Sequence, residues 1–314
     1  MSSLSLTVRQ IDQLTPRIRR LLLVCSDASP LPAFSAGAHL ELQVPGERAQ
    51  RRAYSLVNLS GADHYEIAVQ REDTGSGGSR WVHALRVGDV LQAEAPRNHF
   101  PLCANAEDSL LIAGGIGITP LLGMARALHG AGAPFSLHYA GREAHHMAYL
   151  EDVRQYPGAR CWISAGDPQR RFPAAAVLSA PRPGLHLYVC GPAALLNSVL
   201  ACAREYGWAE DHLHYELFSG TVQVADEPGF AVHLRGSDLT LQVAPGQSVL
   251  DAMIGAGLDP LFDCRRGDCG VCVTQVLEGD PDHRDICLSA RERAAGSFCT
   301  CVSRASSPLL VLDL

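Results

Sequence analysis

The sequence predicts a multidomain protein in which an antiparallel β-barrel, a parallel-sheet α/β domain and a small α+β domain follow one another. Three observations support this organisation. Short runs of alternating apolar and polar residues fill the beginning of the chain, strand-like and helix-like segments alternate in the middle, and five cysteines are grouped near the end. A chain of 314 residues is long enough for two or three domains of the usual size, roughly 100–200 residues each.

The N-terminal segment, residues 1 to about 102, has the pattern of a barrel or a sandwich. Short alternating stretches such as LSLTVRQI, HLELQV and YEIAVQ are separated by Pro, Gly and Asn. A period of two buries one face of each strand, and short strands at regular spacing are typical of antiparallel β-proteins.

From Ser109 onward, strands alternate with helices. The apolar strand LLIAGG precedes ITPLLGMARALHG, whose apolar residues recur at helical spacing. The strands FSLHYA, ARCWISA and LHLYVCGP continue the series, with helices expected around AYLEDVRQY, AAAVLSA and AALLNSVLACAREYG. This alternation predicts a parallel, doubly wound sheet.

The last segment follows SGTVQVADEP, residues 219–228, which lacks apolar periodicity and has the pattern of a linker. FAVHLRGSDLTLQV then predicts a hairpin, and QSVLDAMIGAGL predicts a helix that leads into a cysteine-rich loop. We therefore expect three domains, over residues 1–104, 105–222 and 229–314.

The composition excludes several classes of protein. The formal net charge of -7 argues against a nucleic-acid partner, which requires a basic face. No apolar run approaches the roughly 20 residues that span a bilayer, and the N-terminus MSSLSLTVRQIDQ lacks the features of a signal peptide. We expect a cytoplasmic monomer without a membrane partner, whose thiols stay reduced.

The stretch DCRRGDCGVC, residues 263–272, carries cysteines at C-x4-C-x2-C spacing: Cys264, Cys269 and Cys272. Disulfides are improbable in a reducing compartment, and zinc sites usually pair two C-x2-C knuckles, of which this loop has one. C-x4-C-x2-C followed by a distant cysteine is the plant-type [2Fe-2S] pattern. No C-x-H is present, which excludes a Rieske centre in this chain. By spacing alone, either Cys299 or Cys301 could be the fourth ligand.

Three further motifs lie upstream of the cysteine loop. RAYSL, residues 52–56, ends an early strand of the predicted barrel. GGIGITP, residues 114–120, follows a buried strand and opens a helix, so that its backbone N–H groups could hold a pyrophosphate. YVCGP, residues 188–192, ends a later strand of the same sheet. Ligands of open α/β sheets bind beyond the carboxyl ends of the strands, where both turns are expected.

Together these motifs resemble the phthalate dioxygenase reductase family from one end of the chain to the other. Further matches are PAFSAGAHLEL, APRNHFPL, HYELF and GDPDHRD. The resemblance implies an FMN-binding barrel, a ferredoxin-reductase-like NAD domain and a C-terminal β-grasp ferredoxin domain. CVSRASSPLLVLDL is similar to the closing strand of plant-type ferredoxins, so that Cys301 is implied as the fourth cluster ligand and Cys299 as a packed neighbour.

The resemblance also implies roles around the flavin. Arg52 would hold the phosphate, with Ala53 beside it, Tyr54 would lie against the isoalloxazine, and Ser55 would hydrogen-bond near N5. Gly77, Gly78 and Ser79 would offer further phosphate donors. The family commonly has Arg-Gly-Gly-Ser there, whereas this chain has Ser76, so that one cationic phosphate contact is missing. Either the flavin affinity is lower, or Arg80 or Arg71 substitutes for the missing arginine.

On the nucleotide side, the resemblance implies that one set of residues lines the NAD site: Gly114, Gly115, Gly117, Thr119 and Pro120. A second set would lie beside the nicotinamide: Cys190, Gly191 and Pro192. Glu216 and Phe218 of HYELF would border the flavin. The residues expected to act in catalysis are Ser55, Thr119, Cys190 and Phe218.

The implied function is that of the reductase component of a two-component Rieske oxygenase system, a dioxygenase or an O-demethylase. Electrons would pass from NADH through FMN and the [2Fe-2S] cluster to the oxygenase partner. Two alternatives are a flavin and iron–sulfur reductase that serves a haem or diiron acceptor, and a redox-sensing module without turnover. The sequence does not identify the substrate of the partner.

Overall fold

In the computed structural model of the chain, three successive stretches of sequence each form a separate sheet of five or six strands, and the last stretch also forms a two-stranded sheet. The structure describes residues 3–45, 50–73, 77–218, 227–263, 265, 267 and 269–314. The chain divides into two units, Met1–Glu216 and Leu217–Leu314. The first unit contains a barrel and an α/β domain, and the second contains an α+β domain. The predicted fold class is therefore confirmed.

The barrel is a six-stranded antiparallel sheet. Its elements are β1 Ser3–Thr15, β2 Ile18–Cys25, β3 His39–Val44, β4 Gln50–Ser55, β5 Tyr65–Gln70, α1 Gly78–Ala84 and β6 Val90–Glu94. The strand order is β4-β3-β6-β1-β2-β5. The sheet closes because the chain just after β4 bridges β5: Leu56 lies opposite Ile67, and the Val57 N–H donates to the Glu66 carbonyl at 2.9 Å. The inward faces bury an apolar core, as the alternation predicts.

The α/β domain has a five-stranded sheet with helices between its strands. Its elements are β7 Asp108–Gly114, α2 Ile118–Gly130, β8 Phe135–Gly141, α3 Leu150–Arg154, β9 Ala159–Ile163, α4 Ala174–Val177, β10 Leu185–Gly191, α5 Ala193–Glu205 and β11 Leu213–Leu217. The order is β11-β10-β7-β8-β9, with parallel pairing from β10 to β9. The chain runs outward from β7 to β9 and then returns to β10. The topological switch point therefore lies between β7 and β10.

Two of the predicted helices in this domain are shorter than the sequence pattern indicates. α3 has five residues and α4 has four. Pro157 and Pro181 follow them, and a proline disfavours helical backbone in the residue before it. The barrel also contains α1, which is too short for the helical period to reveal in the sequence.

The α+β domain is a mixed five-stranded sheet crossed by a helix. Its elements are β12 Phe230–Leu234, β13 Leu239–Val243, α6 Val249–Gly255, β14 Val273–Glu278, β15 Pro281–Asp282, α7 Ala290–Ala294, β16 Ser297–Cys299, β17 Arg304–Ala305 and β18 Leu309–Leu312. The order is β13-β12-β18-β14-β16, and β12 and β18 are parallel. The predicted hairpin (β12 and β13) and the predicted helix (α6) are both present, and α6 packs on the sheet in a β-grasp arrangement.

Polar contacts join the barrel to the α/β domain within the first unit. The Tyr149 hydroxyl donates to the buried Glu66 carboxylate of β5 at 2.8 Å, and Arg126 of α2 donates to the Val57 carbonyl at 2.9 Å. Gly123 allows α2 to approach the barrel, because a Cβ there would lie 3.1 Å from the Leu56 carbonyl oxygen. These contacts hold the middle of α2 and the start of α3 against the barrel. Among the described residues, no helix has the length and apolar composition of a membrane span.

Candidate functional site

The structure brings Arg52 together with the glycines of the predicted phosphate site. Arg52 lies on β4, opposite Leu42 of β3. A Cβ on Gly78 would lie 2.8 Å from Arg52 Cγ, so only glycine lets this backbone lie against the arginine. Gly77 has φ +96, a left-handed value that favours glycine. The Ser79 hydroxyl accepts the Glu72 N–H at 2.9 Å. Ser76, the departure from the family pattern, lies outside the described residues.

The rest of β4 alternates between exposed and buried side chains. Ala53 is exposed, Tyr54 is half-buried and packs against the barrel core, and Ser55 is buried. Burial raises the pKa of Tyr54 to about 12, so the phenol is neutral at physiological pH. The strand therefore presents a neutral aromatic ring next to a buried hydroxyl, two residues beyond Arg52.

The two glycine-containing turns meet at the switch point. GGIGITP follows β7, YVCGP ends β10, and these strands pair with Ala113 opposite Cys190. A Cβ on Gly117 would lie 2.3 Å from the Cys190 carbonyl oxygen, and one on Gly191 would lie 2.9 Å from Gly114 Cα. The backbones touch because side chains are missing at these positions. Gly115, at φ +54, turns the chain toward α2.

The other residues predicted for the nucleotide side are mostly buried around these turns. Thr119 is 1% exposed, and its hydroxyl donates to the Ile116 carbonyl at 3.0 Å, within the turn itself. Pro120 is buried in the first turn of α2. Cys190 is buried, and Pro192 is the residue before α5. Of the two residues predicted to border the flavin, Glu216 is buried on β11, and Phe218 follows that strand directly. The Thr119 hydroxyl therefore stabilises its own turn through the hydrogen bond to Ile116. The residues of both turns lie together at one edge of the α/β sheet.

In the α+β domain, sulfur atoms converge at the end of the cysteine loop. Cys269 is exposed, whereas Cys272 and Cys301 are buried. The sulfurs of Cys272, Cys299 and Cys301 all lie within 4.8 Å of one another. Cys264, the remaining predicted ligand, lies outside the described residues. Soft thiolates at this spacing suit an iron–sulfur cluster.

Glycine shapes the loop that precedes these sulfurs. Gly267 has φ +78, and a Cβ there would lie 2.6 Å from Val302 Cγ2 and 3.0 Å from Asp285 Cα. Its carbonyl accepts the N–H groups of Ile286 and Cys287. Gly267 therefore lies closely against the segment after β15, and only glycine fits at that contact.

Cys299 and Cys287 extend the sulfur group beyond the predicted ligands. Cys299 is fully buried, with its sulfur 3.3 Å from that of Cys272 and 3.9 Å from those of Cys301 and Cys287. The contact with Cys299 lowers the pKa of Cys272, and the same contact raises the pKa of Cys299. Cys287 is not recognisable as a member of this group from the sequence, because nothing in its spacing relates it to the loop.

The donor sets fit the three groups that the sequence predicts. Arg52 beside Gly78 suits a phosphate, the touching glycine turns at a switch point suit a dinucleotide, and the converging thiols suit a [2Fe-2S] cluster. The first two fits rest on close contacts of glycine backbone that an added side chain would block. The third rests on sulfur atoms that already lie close together.

Comparisons with known proteins agree with this arrangement. Residues 232–306 match the family described as 2Fe-2S iron-sulfur cluster binding domain. Residues 91–213 match the family described as dimethylamine monooxygenase subunit DmmA-like, N-terminal domain.

Whole-length relatives are also found. A vanillate O-demethylase oxidoreductase of a Pseudomonas species is 42% identical over 301 residues, which cover 94% of each chain. A heme-dependent oxidative N-demethylase beta subunit of Ectopseudomonas mendocina is 42% identical over 99% of each chain.

Among solved structures, a phthalate dioxygenase reductase matches with a TM-score of 0.77 and 34% identity, over 100% of this chain and 98% of that chain. That protein is described as a modular structure for electron transfer from pyridine nucleotides to [2Fe-2S]. Identity above 30% along nearly the whole length of such relatives leads to one conclusion: the chain belongs to the phthalate dioxygenase reductase family.

Proposed function

We propose that this protein is the NADH-dependent reductase component of a two-component Rieske oxygenase system, with FMN and one [2Fe-2S] cluster as cofactors. The observation that carries the proposal is the meeting of the two glycine turns at the switch point, in a chain that also holds Arg52 beside Gly78 and a group of converging thiols. A chain that passes electrons from a pyridine nucleotide through a flavin to an iron–sulfur cluster requires a nucleotide site, a flavin site and a cluster site. We assign flavin binding to the domain of residues 1–104, NADH binding to residues 105–222 and cluster binding to residues 229–314.

In the barrel, the side chains of β4 would bind and orient the flavin. Arg52, with the backbone of Gly77 and Gly78 and the Ser79 hydroxyl, would hold the phosphate, and Ala53 would leave room beside it. Tyr54 would lie against the ring, with the buried Ser55 hydroxyl near N5. Glu216 and Phe218 would border the flavin, as the resemblance implies.

In the α/β domain, the glycine turns would position the dinucleotide. Gly114, Gly115 and Gly117 would let its pyrophosphate approach the backbone at the start of α2, where N–H groups point outward. Thr119 and Pro120 would shape that start. Cys190, Gly191 and Pro192 would form the wall beside the nicotinamide, which excludes water from the reacting carbon.

Specificity for NADH over NADPH would arise after β8. The exposed Arg142 is the cation directly after that strand, and the half-buried Glu143 follows it. A carboxylate at the end of this strand suits a ribose 2′-hydroxyl and repels a 2′-phosphate.

The bound groups would supply the redox chemistry: hydride acceptance and single-electron release by FMN, and one-electron transfer by the cluster. The ligands Cys264, Cys269, Cys272 and Cys301 would hold that cluster. Of the three described ligands, Cys269 alone is exposed, so electrons would leave on its side. We place the protein in the cytoplasm, where thiols such as those of its ten described cysteines stay reduced.

A haem protein as electron acceptor is the second candidate. It is favoured by the relative named heme-dependent oxidative N-demethylase beta subunit, which matches over 99% of each chain. This alternative keeps the same residues and cofactors and changes only the partner.

The experiment that tests the proposal supplies the purified protein with NADH and, in turn, a Rieske oxygenase and a haem oxygenase. We expect FMN as the flavin released by heat, steady NADH oxidation, and faster reduction of the Rieske partner. Faster reduction of the haem partner would instead support the second candidate. No NADH turnover with any acceptor would indicate a redox sensor, and release of FAD would contradict the flavin assignment.

A further inference from the structure

The Cys299 thiol lies at the centre of the sulfur group. Its sulfur is 3.3 Å from Cys272 Sγ, 3.9 Å from Cys301 Sγ and 3.9 Å from Cys287 Sγ. The plant-type pattern needs four thiolates, and the proposed function assigns these to Cys264, Cys269, Cys272 and Cys301. Cys299 is then a fifth thiol, fully buried, in contact with two ligands.

The backbone holds Cys299 in this place from both sides. It ends β16 opposite Val273 of β14, the residue directly after Cys272. Its carbonyl accepts the N–H of Ser303 at 3.0 Å, and the next residue, Thr300, donates its hydroxyl to the Cys272 carbonyl at 3.0 Å. The short distance between the Cys272 and Cys299 sulfurs therefore follows from strand pairing, not from the rotation of a surface side chain.

A buried thiol in this position has one proton to donate and two ligand sulfurs to receive it. Water does not reach Cys299, and a buried polar group is stable when it is hydrogen-bonded. The nearer acceptor is Cys272. Cys287 lies on the other side and donates to the Cys299 sulfur, so that the three sulfurs form a donor chain directed at the cluster.

We propose that Cys299 is a hydrogen-bond donor to the ligand thiolate of Cys272 and that it raises the reduction potential of the cluster. Reduction adds one electron and no proton, so the ligand sulfurs carry more negative charge in the reduced cluster. A donor then stabilises the reduced form more than the oxidised form, and hydrogen bonds to the sulfurs are among the factors that set cluster potentials. The inference rests on the ligand set of the proposed function. Cys299 is a tuning residue and not a catalytic one.

The test is a redox titration of the full-length protein, in which the EPR signal of the reduced cluster is measured against potential. Cys299→Ala removes the donor. We expect normal iron and sulfide content and a lower midpoint potential, by an amount that changes the ratio of reduced to oxidised cluster roughly two- to tenfold, the range of one ordinary hydrogen bond. For a one-electron couple this is at most about 59 mV.

Two further variants separate hydrogen bonding from packing. Cys299→Ser keeps a donor, but its oxygen lies closer to Cβ and farther from Cys272, so the midpoint should fall between those of Cys299→Ala and the unchanged protein. Cys287→Ala leaves every ligand and Cys299 in place and should shift the midpoint in the same direction by less. Cys202→Ala, in α5, is the matched control and should leave the midpoint unchanged.

Contrary results are equally specific. A midpoint equal to that of the unchanged protein in Cys299→Ala would overturn the proposal. If that variant does not load a cluster, the midpoints of Cys299→Ser and Cys287→Ala decide in the same way. Loss of the cluster from both Cys299 variants, with retention in Cys301→Ser, would make Cys299 the closing ligand and would also overturn it. The titration uses no oxygenase, so its failure is distinct from failure of the proposed function.

Discussion

Ser55 is the buried hydroxyl of β4, one residue beyond the half-buried Tyr54. In the proposed function this hydroxyl lies near the flavin atom that receives the hydride. Its removal leaves the phosphate contacts of Arg52 and Gly78 in place and leaves the second unit of the chain unchanged. The residue should therefore affect the rate of flavin reduction more than the binding of the flavin.

We predict that Ser55→Ala slows NADH oxidation about two- to tenfold, the effect of one lost hydrogen bond. Reduction of a dye at the flavin and reduction of an oxygenase at the cluster should slow by the same factor. Both depend on the reduction of the flavin by NADH, which is the step at which Ser55 acts. Stopped-flow measurement of flavin bleaching by NADH gives the rate, and the cluster absorbance serves as the control. Slowing of the oxygenase reaction alone would place Ser55 elsewhere on the path.

At the scale of elements, the start of α2 depends on the contact between two turns. Strand pairing places the end of β7 beside the end of β10, and glycine at position 117 lets the backbones touch. The contact forms the edge at which the nucleotide is proposed to bind. A side chain there would have to displace backbone atoms, which cannot rotate away.

Gly117→Ala should therefore destabilise the protein by about 1–3 kcal/mol, the usual cost of overpacking, and raise the KM for NADH at least tenfold. Thermal unfolding and steady-state kinetics measure the two effects. Gly130→Ala, at the other end of α2, is the matched control, because no atom lies within 4 Å of the added Cβ. An unchanged KM in Gly117→Ala would show that the nucleotide does not use this turn.

At the scale of the whole molecule, the two units have separate cores. The barrel buries its own apolar cluster, and the C-terminal domain buries another between α6 and its sheet. A domain with its own core is expected to fold by itself. The thiols of the proposed cluster all belong to the second unit.

A chain that ends after Phe218 should thus remain a folded flavoprotein. We expect it to reduce a small dye from NADH at close to the full-length rate and to lose transfer to an oxygenase. Circular dichroism and flavin content verify the fold, and oxygenase-coupled turnover gives the result. If the shortened chain drove the oxygenase at the full rate, the cluster would not lie on the path.

Much of this organisation could be predicted from the sequence, because the sequence signals for it are local. Period-two alternation identified the barrel strands, alternating strands and helices identified the parallel sheet, and C-x4-C-x2-C identified the cluster loop. Each of these signals lies within a few residues or repeats along the chain. The pairing of the hairpin β12 and β13, joined by a short turn, was predictable for the same reason.

What only the tertiary structure decided are contacts between residues far apart in sequence. Examples are the approach of Gly117 to Cys190, the hydrogen bond from Tyr149 to Glu66, and the sulfur contacts of Cys299 with Cys272 and Cys287. These contacts join residues that are 12 to 83 positions apart. No period or spacing encodes such pairs, because strand order and the packing of helices on sheets bring them together. The sequence by itself determined the domain types and the kinds of cofactor. The fold decided which glycines touch and which thiol lies between the ligands, because both depend on the register of strands that are distant along the chain.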